Sequence, residues 1–251
     1  MIKLRIITPI ISRAFRDETP LEAAVPAGSE ISSIHLEYGP ASVESAVDEV
    51  LAGPGVIDAA LLSEAEGMNA LIIDCMLDPA LDAAREAVGV PVIGCGEAGM
   101  RAAAAKGPFS VVTVLQRQER AFHELATRYG LADRLKSVRG IGVSVLELEK
   151  DSEASIAAAV REAKAAIETD GARSIVFGCT GMLGYGPPVA EALGIPQDRV
   201  IDPLLCAVQV AHKYASNGRV TDKQTYPVPE AKRVTGFAGW HALDLLMAGR
   251  K

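Results

Sequence analysis

The chain contains an approximate copy of itself, and each copy presents a cysteine at the same point. Gly67-Met68-Asn69-Ala70-Leu71-Ile72-Ile73-Asp74-Cys75 aligns with Gly171-Ala172-Arg173-Ser174-Ile175-Val176-Phe177-Gly178-Cys179. Each stretch runs from a glycine through a short apolar run to a thiol. Upstream, Thr8 and Thr113 each sit near the end of an earlier apolar run, 67 residues before Cys75 and 66 before Cys179. Downstream, Gly89-Val90-Pro91 answers Gly194-Ile195-Pro196. A duplicated unit of roughly 100 residues is near the lower size for an independent core. The 251-residue chain therefore reads as two similar domains with a thiol on either wall of a cleft. That arrangement suits chemistry in which one group removes a proton and another returns it on the opposite face.

Short runs rich in Val and Ile, bounded by Gly or Pro, read as strands. They fall at Lys3–Thr8, Glu30–Glu37, Ala70–Cys75, Val90–Gly94, Phe109–Leu115, Val138–Val143, Ser174–Gly178 and Arg199–Ile201. Helical stretches lie between them at Ser42–Glu66, Pro79–Val88, Gln118–Tyr129, Ser152–Thr169, Pro187–Leu193 and Pro203–Ser216. Gly53-Pro54-Gly55 is expected to break the first of these in two. Asp78-Pro79 and Asp202-Pro203 read as helix starts, aspartate as N-cap and proline at the first helical position. Strand–helix alternation implies parallel sheets covered on both faces. The expected class is α/β: two similar parallel-sheet domains related by pseudo-two-fold symmetry, with the active site in the cleft between them. Residues 1–94 with 208–251 would form the first domain and residues 95–207 the second. The tail has no counterpart in the first half, and Trp240 would anchor it.

In an open α/β sheet, ligands bind outside the carboxyl ends of the strands, where Cys75 and Cys179 lie. The backbone N–H groups around Met76–Leu77 and Thr180–Gly181 are placed to bind an anion or a developing oxyanion. The same donors favour a thiolate, so one thiol serves as base and the other as acid. A free cysteine more often simply packs, which is the reading for the unmatched Cys95 and Cys206. Thr8 and Thr113 either reach into the cleft or are ordinary strand threonines.

These pieces resemble the aspartate/glutamate racemase superfamily, and within it the hydantoin and allantoin racemase branch. The resemblance is carried by the ITPI strand end around Thr8 and Ile10, by EYGPASVESAVDE (37–49), DCMLDPAL (74–81) and PVIGCGEAGMRAA (91–103), and by FSVVTVLQR (109–117), FGCTGM (177–182) and VIDPLLCAV (200–208). It implies a racemase acting by proton transfer between Cys75 and Cys179, with no cofactor and no metal. Thr180 and Gly181 would help hold ring carbonyls, Thr8 and Ile10 would line the pocket, and the Tyr38–Ser42 loop, ending at Ser42, would flank it. The substrate it implies is a 5-substituted hydantoin, allantoin included. The branch often has asparagine at Thr8 and a small or polar residue at Leu77, so these departures bear on which substrate fits. The alternatives are an amino-acid racemase, a maleate-type isomerase with covalent attack by one cysteine, or a non-catalytic binder of small ligands.

Net charge of −7 without a basic stripe excludes nucleic acid as a partner. The short N-terminal apolar run reads as a strand rather than a membrane span. A cytoplasmic homo-oligomer acting on a small-molecule substrate is expected. Four cysteines without C-x-x-C pairing point away from a disulfide framework or a zinc site. Gly94-Cys95-Gly96-Glu97-Ala98-Gly99 fits the dinucleotide pattern, but the next strand ends without the acidic ribose partner, so it reads as a tight interdomain turn. Glu97 there either faces the cleft or caps. The charged runs Arg13–Glu18 and Glu147–Glu153 read as solvated faces, and the four histidines show no metal spacing.

Overall fold

A computed structural model describes residues 1–233. The first sheet contains β1 (Ile2–Thr8), β2 (Ser29–His35), β3 (Ala70–Ile73) and β4 (Val92–Gly94), all parallel, in the order β2-β1-β3-β4. The second contains β5 (Phe109–Thr113), β6 (Leu135–Gly140), β7 (Ser174–Phe177) and β8 (Val200–Ile201), also parallel, in the order β6-β5-β7-β8. The two orders are the same, so the sequence repeat is a repeat of topology. The helices are α1 (Thr19–Ala23), α2 (Ala46–Ala65), α3 (Leu81–Ala87), α4 (Cys95–Ala105), α5 (Glu119–Arg128), α6 (Ser152–Glu168), α7 (Gly186–Leu193) and α8 (Pro203–Ser216). None of those described is long and apolar enough to cross a membrane.

The strands that lead to the cysteines are the most enclosed. Every residue of β3 and of β7 is buried, as expected for continuous apolar runs covered on both faces. In-register pairing sets Ile7 beside Ile73 and Val112 beside Phe177. The next hydrogen bonds, Asp74 N to Ile7 O and Gly178 N to Val112 O, bring Thr8 level with Asp74 and Thr113 level with Gly178. Each cysteine stands two residues beyond the end of its strand. Helix α8 packs on β1, β3 and β4 and against α4, and α4 in turn contacts β7 and β8. Beyond α8, Thr221 bonds Gly89 and Val90. Trp240 and the end of the tail lie outside the described residues.

Four local expectations are corrected. Helix α2 runs unbroken through Pro54. The carbonyl deprived of its donor is that of Val50, a residue on the exposed face. Residues 95–105 form a helix rather than a turn. Their glycines are there for close approach, since a Cβ on Gly96 would collide with Met76 O and one on Gly99 would sit 2.8 Å from Pro203 Cβ. Asp78 caps α4, not the helix that follows it. Its carboxylate accepts from Gly96 N at 2.8 Å and Glu97 N at 2.7 Å, while α3 begins after Ala80. Strand β6 starts three residues earlier than expected, because its two buried positions, Leu135 and Val138, are not spaced by two. Asp202, by contrast, does cap α8, accepting from Leu204 N and Leu205 N.

Candidate active site

Cys75 and Cys179 come from different halves and line one cavity of about 30 Å³. That is roughly the space of a single water molecule. Thr8, Ile10, Met76, Leu77 and Thr180 line it too, so seven of the ten residues singled out from sequence meet there. The remaining walls are Pro9, Phe15, Val43, Asp74, Gln118, Val145 and Gly178. Thr113 stands one layer behind: its buried hydroxyl lies 2.8 Å from Gln118 Oε1 and 3.2 Å from Gly178 O. Ser42 is not among the lining residues, whereas its neighbour Val43 is. Gly181 contributes its N–H, 3.3 Å from Cys179 Sγ. Glu97 belongs elsewhere, paired with Arg85 and Arg101. Cys95 is buried in the core, and Cys206 borders a separate groove.

Beside the cavity sits a buried ionic hub absent from the sequence reading. Arg16 contacts Asp74 through both ends of its fork, Nη2 to Oδ2 at 2.8 Å and Nη1 to Oδ1 at 3.0 Å. Nη1 also donates to Thr180 O at 3.2 Å, and Nε to Glu18 Oε1 at 3.0 Å. Thr8 Oγ1 donates to Asp74 Oδ2, and Thr180 Oγ1 to Asp74 O. Arg16, taken with its neighbours as a solvated run, is thus buried. A charged cluster in sequence carries no mark of which member a turn folds inward. Here the turn passes through Ala14 at φ 52°, a left-handed conformation that costs roughly 1–3 kcal/mol and needs surrounding structure to hold it. Burial opposes the charge of Arg16, but Asp74 and Glu18 outweigh it and raise its pKa.

The expected bias toward thiolate is reversed in this narrow cavity, where both cysteines are half-buried. Burial pushes Cys179 up to about 12, against the Gly181 N–H and the positive charge of Arg16, which both lower it. Burial also raises Cys75, opposed by the Leu77 N–H and reinforced by Cys179, Asp78 and Asp74. One N–H does not replace the hydration a thiolate loses. A further contact joins the halves beside the cavity wall at Val145: Glu44 of the first half accepts from Val145 N at 2.9 Å and from Arg117 Nη2 at 3.0 Å in the second. Among the described residues, no three His, Cys, Asp or Glu side chains are grouped to hold a metal.

Two matching parallel sheets, with a cysteine from each half lining a common cavity, define a two-domain α/β protein of the racemase fold. Residues 8–211 match the family model for Asp/Glu/Hydantoin racemase, and the chain belongs to that family of isomerases. It is 36% identical over 239 residues to a hydantoin racemase from Pseudomonas sp. (strain NS671), covering 94% of this chain and 95% of that protein. A hydantoin racemase from Paenarthrobacter aurescens is 33% identical, over 92% of this chain and 99% of that one. Among solved structures, allantoin racemase from Klebsiella pneumoniae superposes with a TM-score of 0.88 at 30% identity, covering 94% of this chain and 97% of that one.

Proposed function

We propose that the protein is a cofactor-independent racemase of 5-substituted hydantoins, with Cys75 and Cys179 as the acid/base pair. The observation that carries this is the convergence of two thiols, from matched strand ends in different halves, on one small cavity. The names of the relatives, hydantoin and allantoin racemases, support the substrate class.

In the forward step a thiolate Sγ takes the proton from C5, and the electron pair passes into the adjacent ring carbonyl. The opposite thiol then gives its proton to the other face of C5. One S–H forms as the other breaks, and the negative charge crosses from one cysteine to the other. The N–H groups of Leu77 and Gly181 face the Cys75 and Cys179 sulfurs and favour the thiolate as it forms. A thiolate formed while the cleft is open and then enclosed becomes a stronger base, because burial removes its water. The 30 Å³ cavity requires the cleft to open for any ring to enter.

The test uses single enantiomers of several 5-substituted hydantoins, allantoin among them, in D2O. Loss of optical rotation together with loss of the C5 proton signal is expected. Cys75→Ser and Cys179→Ser should each abolish racemisation above the spontaneous rate. Unchanged racemisation in either variant would overturn the two-thiol mechanism. No enzyme-dependent rate with any hydantoin would overturn the substrate class.

A further inference from the structure

The residue before each cysteine differs between the halves: Asp74 in the first, Gly178 in the second. A side chain at 178 is excluded, because a Cβ there would collide with Thr113 and lie 2.8 Å from Val111 Cγ1. The two thiols therefore sit in a topologically symmetric but electrostatically one-sided site. The carboxylate precedes Cys75, and the guanidinium bonded to it also reaches the carbonyl that follows Cys179. Every donor-bearing nitrogen of Arg16 is committed, to Asp74, Glu18 or Thr180 O. Its Cζ stands 4.9 Å from the ring centroid of Phe15, itself a wall of the cavity.

We propose that Arg16 is the positioning residue of the thiol pair, tying the loop before Cys75 to the loop after Cys179 and making the two thiols chemically unequal. The planar guanidinium fork suits this task. It holds a carboxylate at two points and a carbonyl at a third, with little freedom left. Because the group is enclosed, the link is not screened as a surface ion pair would be. The carboxylate of Asp74 disfavours ionisation of both thiols, but it directly precedes Cys75, whereas the guanidinium is bonded to the carbonyl that follows Cys179 and favours the Cys179 thiolate, so Cys179 is the thiol that ionises first. The inference rests on the two-thiol reading above, yet its first readout needs no substrate.

The experiment is alkylation by iodoacetamide over a pH series, with the modified cysteine identified by mass spectrometry. In the unaltered protein Cys179 should react ahead of Cys75. Removing Arg16 alone would strand a buried carboxylate, so the informative variant is Arg16→Gln with Asp74→Asn. There the preference for Cys179 should shrink by about tenfold, the effect of one pKa unit. Arg16→Lys keeps the charge but not the fork. It should preserve the order of reaction while kcat falls by at least about tenfold and KM changes little, as expected for misplaced reacting groups. Cys75 reacting first, or a preference unaltered in a folded double variant, would overturn the proposal, and so would an Arg16→Lys enzyme with unaltered kcat. If no hydantoin is inverted but the alkylation pattern holds, the function above fails and the positioning stands. If hydantoins are inverted but the double variant leaves the order intact, the reverse is true. Should the double variant not fold, the alkylation order in the unaltered protein and in Arg16→Lys decides.

Discussion

Replacing Gly94 by alanine would place a methyl carbon 2.5 Å from Cγ and Oδ1 of Asp78. That is about 1 Å inside the optimal separation of roughly 3.5 Å. The carboxylate is not free to retreat, since it holds Gly96 N, Glu97 N and the hydroxyl of Tyr129. Overpacking costs about 1–3 kcal/mol, and each weakened hydrogen bond about 1 kcal/mol more. The expected loss is about 3 kcal/mol, or a fall in Tm of roughly 6–12 °C for a chain of this size. Asp78→Ala alone should cost a similar amount by orphaning three donors. In that background the methyl group of Gly94→Ala meets vacated space and should cost under about 1 kcal/mol. The four proteins form a double-mutant cycle, read by urea and thermal unfolding, with an expected coupling of about 2 kcal/mol. Gly96→Ala is the contrast: its clash includes the backbone oxygen of Met76, so truncating Asp78 should leave much of its cost in place. Single effects that add to within about 0.5 kcal/mol would refute the argument that Gly94 is small because Asp78 caps α4.

Two further outcomes follow from the same geometry. Burial raises Asp78 to about 7 and Asp202 to about 6, above the unfolded value of about 3.9. Each native carboxyl keeps a proton that the unfolded chain has lost, so their contribution to stability is complete below about pH 4 and is lost as pH rises through 6 to 7. Asp78→Asn should narrow the difference in Tm between about pH 5 and about pH 8; an unaltered difference would show that Asp78 does not titrate this way. Glu44→Ala removes the contacts to Val145 and Arg117 that join the halves beside the cavity. Both cysteines should then be alkylated several-fold faster, and rates equal to the unaltered protein would show that this contact does not limit opening.

The doubled pattern of apolar run and cysteine was sufficient to place two thiols at strand ends, because residues of a buried strand are forced to be apolar and a parallel sheet ends its strands at one edge. Thr8, Met76, Leu77 and Thr180 were within reach for the same reason, each being a near neighbour in sequence of such an end, whereas Ile10 was marked by the family resemblance. Repeat and alternation also carried the sheet architecture. What sequence could not reveal were meanings that depend on a distant partner. Gly96 reads as a turn residue until Asp78 and Met76 are seen against it, and Gly94-x-Gly96 then proves to accommodate an internal carboxylate. Asp78-Pro79 reads as a helix start, but its carboxylate caps a helix that begins 17 residues later. Arg16 and Asp74 lie 58 residues apart; Arg16 reads as part of a solvated charged run, and nothing local marks Asp74 as its partner. Only the packing of both halves buries them, and a buried ion needs its counter-ion in a particular place. Local sequence thus determined where the thiols stand; the tertiary structure alone decided what surrounds them, how narrow the cavity is, and which charges lie beside each.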